Sequence, residues 1–421
     1  MTEKLLQYIW QFQYFNGAHL STTEGESLQI IFPGSINTNQ GPDFTNAKIK
    51  IGDTILAGTV ELHTKTSEWK KHGHQHDANY NNVILHVVYC HDETASTLIP
   101  TLELQSRISG LMLQHYNVLM SSPFFIPCGN NIQQIKEITW LSWKERLLAE
   151  RLERKSQRVL QLLQQSNNHW EEVFWWLLAR NFGGGVNGDA FEKMAQTISV
   201  KLLAKYKFSI HQLEGLLLGQ AGLLNATFEE EYPKLLWREY MFLKKKHNVS
   251  PSTIPVHFLR MRPGNFPTIR LAQLAALVQK SWHMFSKILE IEDLKSVGEW
   301  LKVEANDFWH YHYHFSQPSS FFKKHLGKST INSIIINTIA PALFAYGLYH
   351  KQEKHKVKAL AWLEQTVAEA NAITKGFATL SIRPKNAYDS QALIELKNEY
   401  CTKKRCLECS VGHHLLKTTR N

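Results

Sequence analysis

The 421-residue chain carries 47 Lys+Arg against 37 Asp+Glu, a net charge of +10, with 43% hydrophobic and 20% charged residues. That balance excludes a disordered chain and provides material for a packed core, which at ~150 residues per domain divides into two or three domains. No run of ~18 consecutive apolar residues is present and the opening MTEKLLQYIWQFQYFNG lacks a basic secretory leader, so no membrane span is expected and a cytoplasmic location is.

In chain order, a short amphipathic helix carrying Leu5, Ile9 and Phe12 opens the sequence. Strands follow at 28–32 (LQIIF), 46–51 (NAKIKI), 55–64 (ILAGTVELHT), 82–89 (NVILHVVY) and 101–105 (TLELQ). Gly52-Asp53 marks a hairpin between the second and third of these. The segment from Trp69 to Tyr80 is the candidate crossover helix before the fourth strand. These elements predict an α/β N-terminal domain, a mixed sheet with a hairpin, over residues 1–125.

From about residue 130 the apolar period becomes helical, as in 139–165, where Leu147, Leu148, Leu152, Val159 and Leu163 form one stripe. Further helices are expected at 168–181, 188–204, 211–223, 229–246, 269–290, 329–349, 355–371 and 388–399, with breaks at Gly183 to Gly185, Pro251 to Pro267 and Gln317-Pro318. A larger all-α domain over 126–400 is predicted, followed by a cysteine-rich tail at 401–414. HYHYHF (310–315) reads as a solvated loop.

Residues 1–125 hold 7 basic and 11 acidic side chains, a balance of −4, which leaves +14 for the remainder. A basic helical part suits a polyanion such as DNA, although lysines and arginines also solvate helix faces. RMRPGNFPTIR, with Arg260, Arg262 and Arg270, either binds phosphates or braces the bundle.

The chemistry concentrates in residues 41–92. Strand alternation puts Thr59, Glu61, His63 and Lys65 on one face and Val60 and Leu62 on the other. Asp43 precedes the partner strand of the hairpin, so its carboxylate can approach Glu61 across the ladder. Two converging carboxylates repel unless a cation lies between them, and Mg²⁺ or Mn²⁺ suits oxygen ligands of this kind. His74 and Asp77, three apart, share one helical face with Tyr80 in the next turn, while His72 and His76 share the neighbouring face. HxHxxD could hold a second metal or contact a phosphate. His86 interrupts the apolar run VILHVV, where a buried imidazole needs a partner.

Pro42-Asp43, a hairpin, and Glu61-Leu62-His63 resemble the signature of the PD-(D/E)XK nuclease superfamily, with His63 where that superfamily has lysine. The resemblance implies a restriction-endonuclease-like fold and metal-dependent phosphodiester cleavage. Asp43 and Glu61 would then hold Mg²⁺ or Mn²⁺, with His63 or Lys65 handling the attacking water. The whole chain is also similar to a family of uncharacterised bacterial proteins, through Gly41 to Phe44, Val60 to His63, Trp69, His72, His74, Asp77, Tyr80, Val83 and Leu85 to Val88. That second resemblance implies a shared fold and no activity.

The tail, YCTKKRCLECSVGHHLLK, places Cys401, Cys406 and Cys409 at C-x4-C-x2-C spacing, within reach of one ion. Cys128, in the IPCGN turn, is the candidate fourth ligand, with His413 or His414 as local alternatives. Zinc or an iron–sulfur cluster would suit the set.

Overall fold

Thr2 caps the first helix, α1 (Glu3–Gln11), by accepting the Leu5 N–H at 3.3 Å, and Leu5, Leu6, Ile9 and Trp10 are buried along its inner side. In this computed structural model the described residues are all except 38–39, 94–98, 225–226, 260, 282 and 418–421. They form two compact units, Met1–Trp143 with Leu396–Asn421, and Lys144–Glu395.

The first unit holds β1 (Leu20–Ser21), β2 (Ser27–Phe32), β3 (Ser35–Ile36), β4 (Phe44–Ile51), β5 (Thr54–Lys65), β6 (Val83–Cys90) and β7 (Thr101–Glu103). The sheet order is β1-β2-β4-β5-β6-β7, with β3 on β4. β2, β4 and β5 pair antiparallel, whereas β5, β6 and β7 pair parallel, so the α/β assignment with a mixed sheet holds. β4 and β5 turn at Gly52, whose φ of 56° is the left-handed conformation expected of a tight hairpin.

A parallel pair requires a crossover connection, and residues 66–82 supply it between β5 and β6. They do not form the single helix expected from Trp69 to Tyr80. A four-residue helix, α2 (Glu68–Lys71), stops at Gly73, whose φ is 76°, and two 3-10 turns follow at His74–His76 and Ala78–Tyr80. The helical-face grouping of His74 with Asp77, and of His72 with His76, is therefore corrected.

Phe44, Ile49, Val60, Leu62, Leu85 and Val87 join one core with α1 and with Met112, Tyr116 and Leu119 of helix α3 (Gly110–Ser121). Cys406 and Leu416 belong to the same core, so the tail is part of the sheet unit rather than a separate segment at 401–414. The boundary also lies beyond residue 125, after Trp143.

The second unit is helical, as expected, around a core from Trp170–Gln196, Ile210–Gln220, Pro267–Lys280, Met284–Glu290 and the stretch 328–349. The glycine run at 183–185 does not end a helix but kinks one, with Gly184 at φ 61° and ψ −155°. The expected helix at 269–290 divides into Pro267–Lys280 and Met284–Glu290. By length and composition, Lys328–Tyr349 is apolar enough to cross a membrane, yet 67% of its most apolar window is buried inside the protein. It is a core helix of this unit. HYHYHF is not a solvated loop either: His310 and His312 are buried, and His310 Nε2 lies 2.9 Å from Glu304.

Candidate metal centre

Alternation along β5 directs Val60 and Leu62 into the apolar core and Glu61 and His63 to the opposite face, under the crossover segment. All four are buried, His63 completely. The crossover brings the rings of Trp69, His72, His74 and Tyr80 over them. Trp69 lies edge-on to His63 and His74 and tilted against His86, and Tyr80 stacks on His74 with centroids 3.9 Å apart.

Glu61 faces two ways. Its Oε2 accepts the Asp43 backbone N–H at 3.0 Å, while Oε1 lies 3.6 Å from His63 Nε2 and 3.4 Å from His74 Nε2. His63 Nε2 is also 3.1 Å from His72 Nδ1, and His63 Nδ1 is 2.9 Å from His86 Nε2. Among the described residues, one nitrogen from each of His63, His72 and His74 falls within 4.8 Å of the others, a three-ligand set with Glu61 Oε1 at its rim.

The electrostatics follow from burial. Desolvation, then the Asp43 charge, raises the Glu61 carboxyl to about 8. Burial raises Asp43 to about 6 against the opposing pull of the Leu62 N–H. His63 is pushed down to about 3 by burial and by His86, His74 and His72, and His86 to about 4 by burial and His74. His63 and His86 are therefore neutral at physiological pH, the form in which an imidazole ligates a metal. Burial and the nearby acids raise the Tyr80 phenol to about 12.

Asp43 does not aim at this cluster as a free carboxylate. Its Oδ1 accepts from Gln7 Nε2 at 2.7 Å and its Oδ2 from the Leu62 N–H at 3.0 Å. It pins α1 to β5 and, through its own N–H, holds Glu61 in place. Lys65 ends on the surface, its side chain 58% exposed and its Nζ 3.9 Å from Asp92. Asp77 is not drawn in: its Oδ1 caps the following turn through the Asn79 N–H at 2.9 Å.

His72 enters the set although helical spacing grouped it with His76. The usable signal was Gly73, which stops the helix and lets rings two residues apart converge. Gln7, from another element, left no local signal at all.

Elsewhere in the first unit, Cys128, Cys401, Cys406 and Cys409 line one small cavity. In the helical unit, Arg270 is pulled down to about 10 by burial and donates to Gln273 (3.0 Å), Asn265 (2.6 Å) and Thr330 (3.0 Å), the bracing alternative for this residue. Arg262 lines a cavity with Arg270, Asn181 and Ser333, and Arg260 lies outside the described residues.

No curated protein and no solved structure matches the chain. A family model described as protein of unknown function, DUF2851, matches residues 3–372, and the chain belongs to that family.

Proposed function

We propose that the sheet unit is a metal-dependent hydrolase acting on phosphodiester bonds of nucleic acid, with its ion on His63, His72 and His74 beside Glu61. The observation that carries this reading is the convergence of three imidazoles and one carboxylate oxygen on one point, against the fully buried ring of His63. A nitrogen-rich donor set suits Mn²⁺ or Zn²⁺ better than Mg²⁺, which takes oxygen ligands. Such an ion supplies a water of lowered pKa and positive charge where a phosphoryl oxyanion develops. His86 fixes the orientation of the His63 ring through the Nδ1 contact, the outer-shell role typical of metal-bound histidine. Trp69 and Tyr80 wall the cluster. The phosphodiester substrate rests on the Asp43–hairpin–Glu61 pattern, and the nucleic acid on the basic balance of residues 126–421.

The test is metal content by mass spectrometry, with cleavage of plasmid and single-stranded DNA in Mn²⁺, Zn²⁺ and Mg²⁺. Wild type should bind about one ion per site and cut, and His72→Ala and Glu61→Gln should lose at least a hundredfold in rate, as roughly expected when a catalytic metal is displaced. Cleavage unchanged in His63→Ala would sink the assignment. The position of Lys65 at the surface favours a second reading, a non-catalytic nucleic-acid-binding module. It predicts salt-sensitive DNA binding without cleavage in any metal.

A further inference from the structure

Four of the five cysteines, Cys128 and the three of the tail, meet in the first unit around one cavity. Cys128 lies at the turn into a 3-10 helix at Gly129–Gln134, Cys401 ends a π-helical turn at Leu396–Cys401, Cys406 opens a 3-10 turn, and Cys409 precedes the helix Ser410–Lys417. The same cavity is lined by Pro127, Tyr400 and Gly412. All four are free thiols, and Cys401, Cys406 and Cys409 are buried. Burial and then the neighbouring sulfurs raise the thiols of Cys128 and Cys406, both to about 12.

Buried cysteine alone is commonplace, since the thiol packs as a small apolar group. One further observation distinguishes this set: the helix Ser410–Lys417 closes so tightly on the preceding turn that a Cβ on Gly412 would lie 2.1 Å from the Cys406 carbonyl oxygen. The fold thus holds the C-x2-C turn in one shape.

Spacing separates the two metals that thiolates favour. A single tetrahedral zinc with Zn–S bonds of ~2.3 Å draws its sulfurs to about 3.7 Å of one another. Among the described residues the set of three donors mutually within 4.8 Å is the histidine set, so no three of the four sulfurs lie that close together. A wider array fits a cluster in which each cysteine holds a different iron.

We propose that Cys128, Cys401, Cys406 and Cys409 ligate an iron–sulfur cluster that ties the C-terminal tail to the sheet unit. Full-length protein purified without oxygen from iron-replete cells should contain iron and acid-labile sulfide in equal, stoichiometric amounts and show a visible absorption band. Cys406→Ser should lose most of the iron, whereas Cys90→Ser and His72→Ala should keep it, which separates this centre from the histidine cluster. Should Cys406→Ser misfold, chelation of iron from the wild type provides the second measurement: the band should disappear as four thiols become titratable. One zinc per chain without iron would overturn the cluster. Absence of both metals, with all thiols titrating in the as-purified protein, would overturn the site.

Discussion

Glu61 takes an N–H from Asp43 on one oxygen and offers the other to the rings of His63 and His74. At this scale the neighbours, more than the residue type, set the role. Asp43, a carboxylate of the same charge, is committed to Gln7 and to the Leu62 N–H. His86 is a positioning residue, so His86→Ala should weaken Mn²⁺ or Zn²⁺ binding by roughly 10–100-fold, measured by calorimetry, and His86→Gln should restore part of it. Equal affinity in His86→Ala would contradict that role. In the helical unit Glu214 is fully buried and accepts from Tyr232 Oη at 3.0 Å and Trp309 Nε1 at 2.8 Å. Burial raises it from 4.5 to about 7, so the folded state binds the proton more tightly than the unfolded chain. The resulting stability is full below pH 4.5 and is lost as pH rises through 7, by roughly 3 kcal/mol at 1.36 per pH unit. Glu214→Gln keeps the acceptor without the charge, and its melting temperature should exceed that of wild type increasingly between pH 5 and 8. Parallel pH profiles would refute the assignment.

β5 is the element on which both faces of the sheet unit depend, with Val60 and Leu62 in the core and Glu61 and His63 under the crossover. The crossover works because it is not a regular helix: the turn at Gly73 swings His72 and His74 toward one point. A close helix pair makes a comparable demand in the second unit. A Cβ on Gly219, in the helix Ile210–Gln220, would lie 2.2 Å from the ring of Tyr240 on the helix Glu231–His247. Helix propensity alone predicts that Gly219→Ala stabilises by about 1 kcal/mol. Overpacking against a buried ring predicts the reverse, a loss of about 1–3 kcal/mol. Thermal denaturation reads the sign directly, and a raised melting temperature would show that the ring yields.

For the molecule as a whole, the first unit is assembled from both ends of the chain, Met1–Trp143 and Leu396–Asn421. Cys406 and Leu416 are buried in the same core as α1 and the inner face of the sheet, and Tyr14 Oη lies 2.5 Å from His413 Nε2. Deleting residues 396–421 should therefore open the sheet unit, with hydrogen exchange at β5 and β6 rising at least tenfold while amides of the helix Pro267–Lys280 keep their protection. Unchanged exchange in β5 would show that the tail contributes nothing to that core.

What the sequence determined by itself is what local periodicity encodes. Alternation located β2, β4, β5 and β6 within a few residues, Gly52-Asp53 located the hairpin, and the apolar stripe located the long helix Glu137–Gln165. The change from period two to helical period likewise announced an α/β part followed by a larger helical one. Alternation also paired Glu61 with His63, because side chains two apart on a strand share a face. It extended that face to Lys65, which the structure leaves at the strand end beside Asp92, because alternation says which side a residue faces and not how far the cover extends. Only tertiary structure brought His72 and His74 together onto His63 and Gln7 onto Asp43, since each meeting joins segments whose separation along the chain carries no period. The feature that most marks 41–92, its row of ionisable groups, was thus legible as a face. Its closure around a single point was decided by the crossover that covers it.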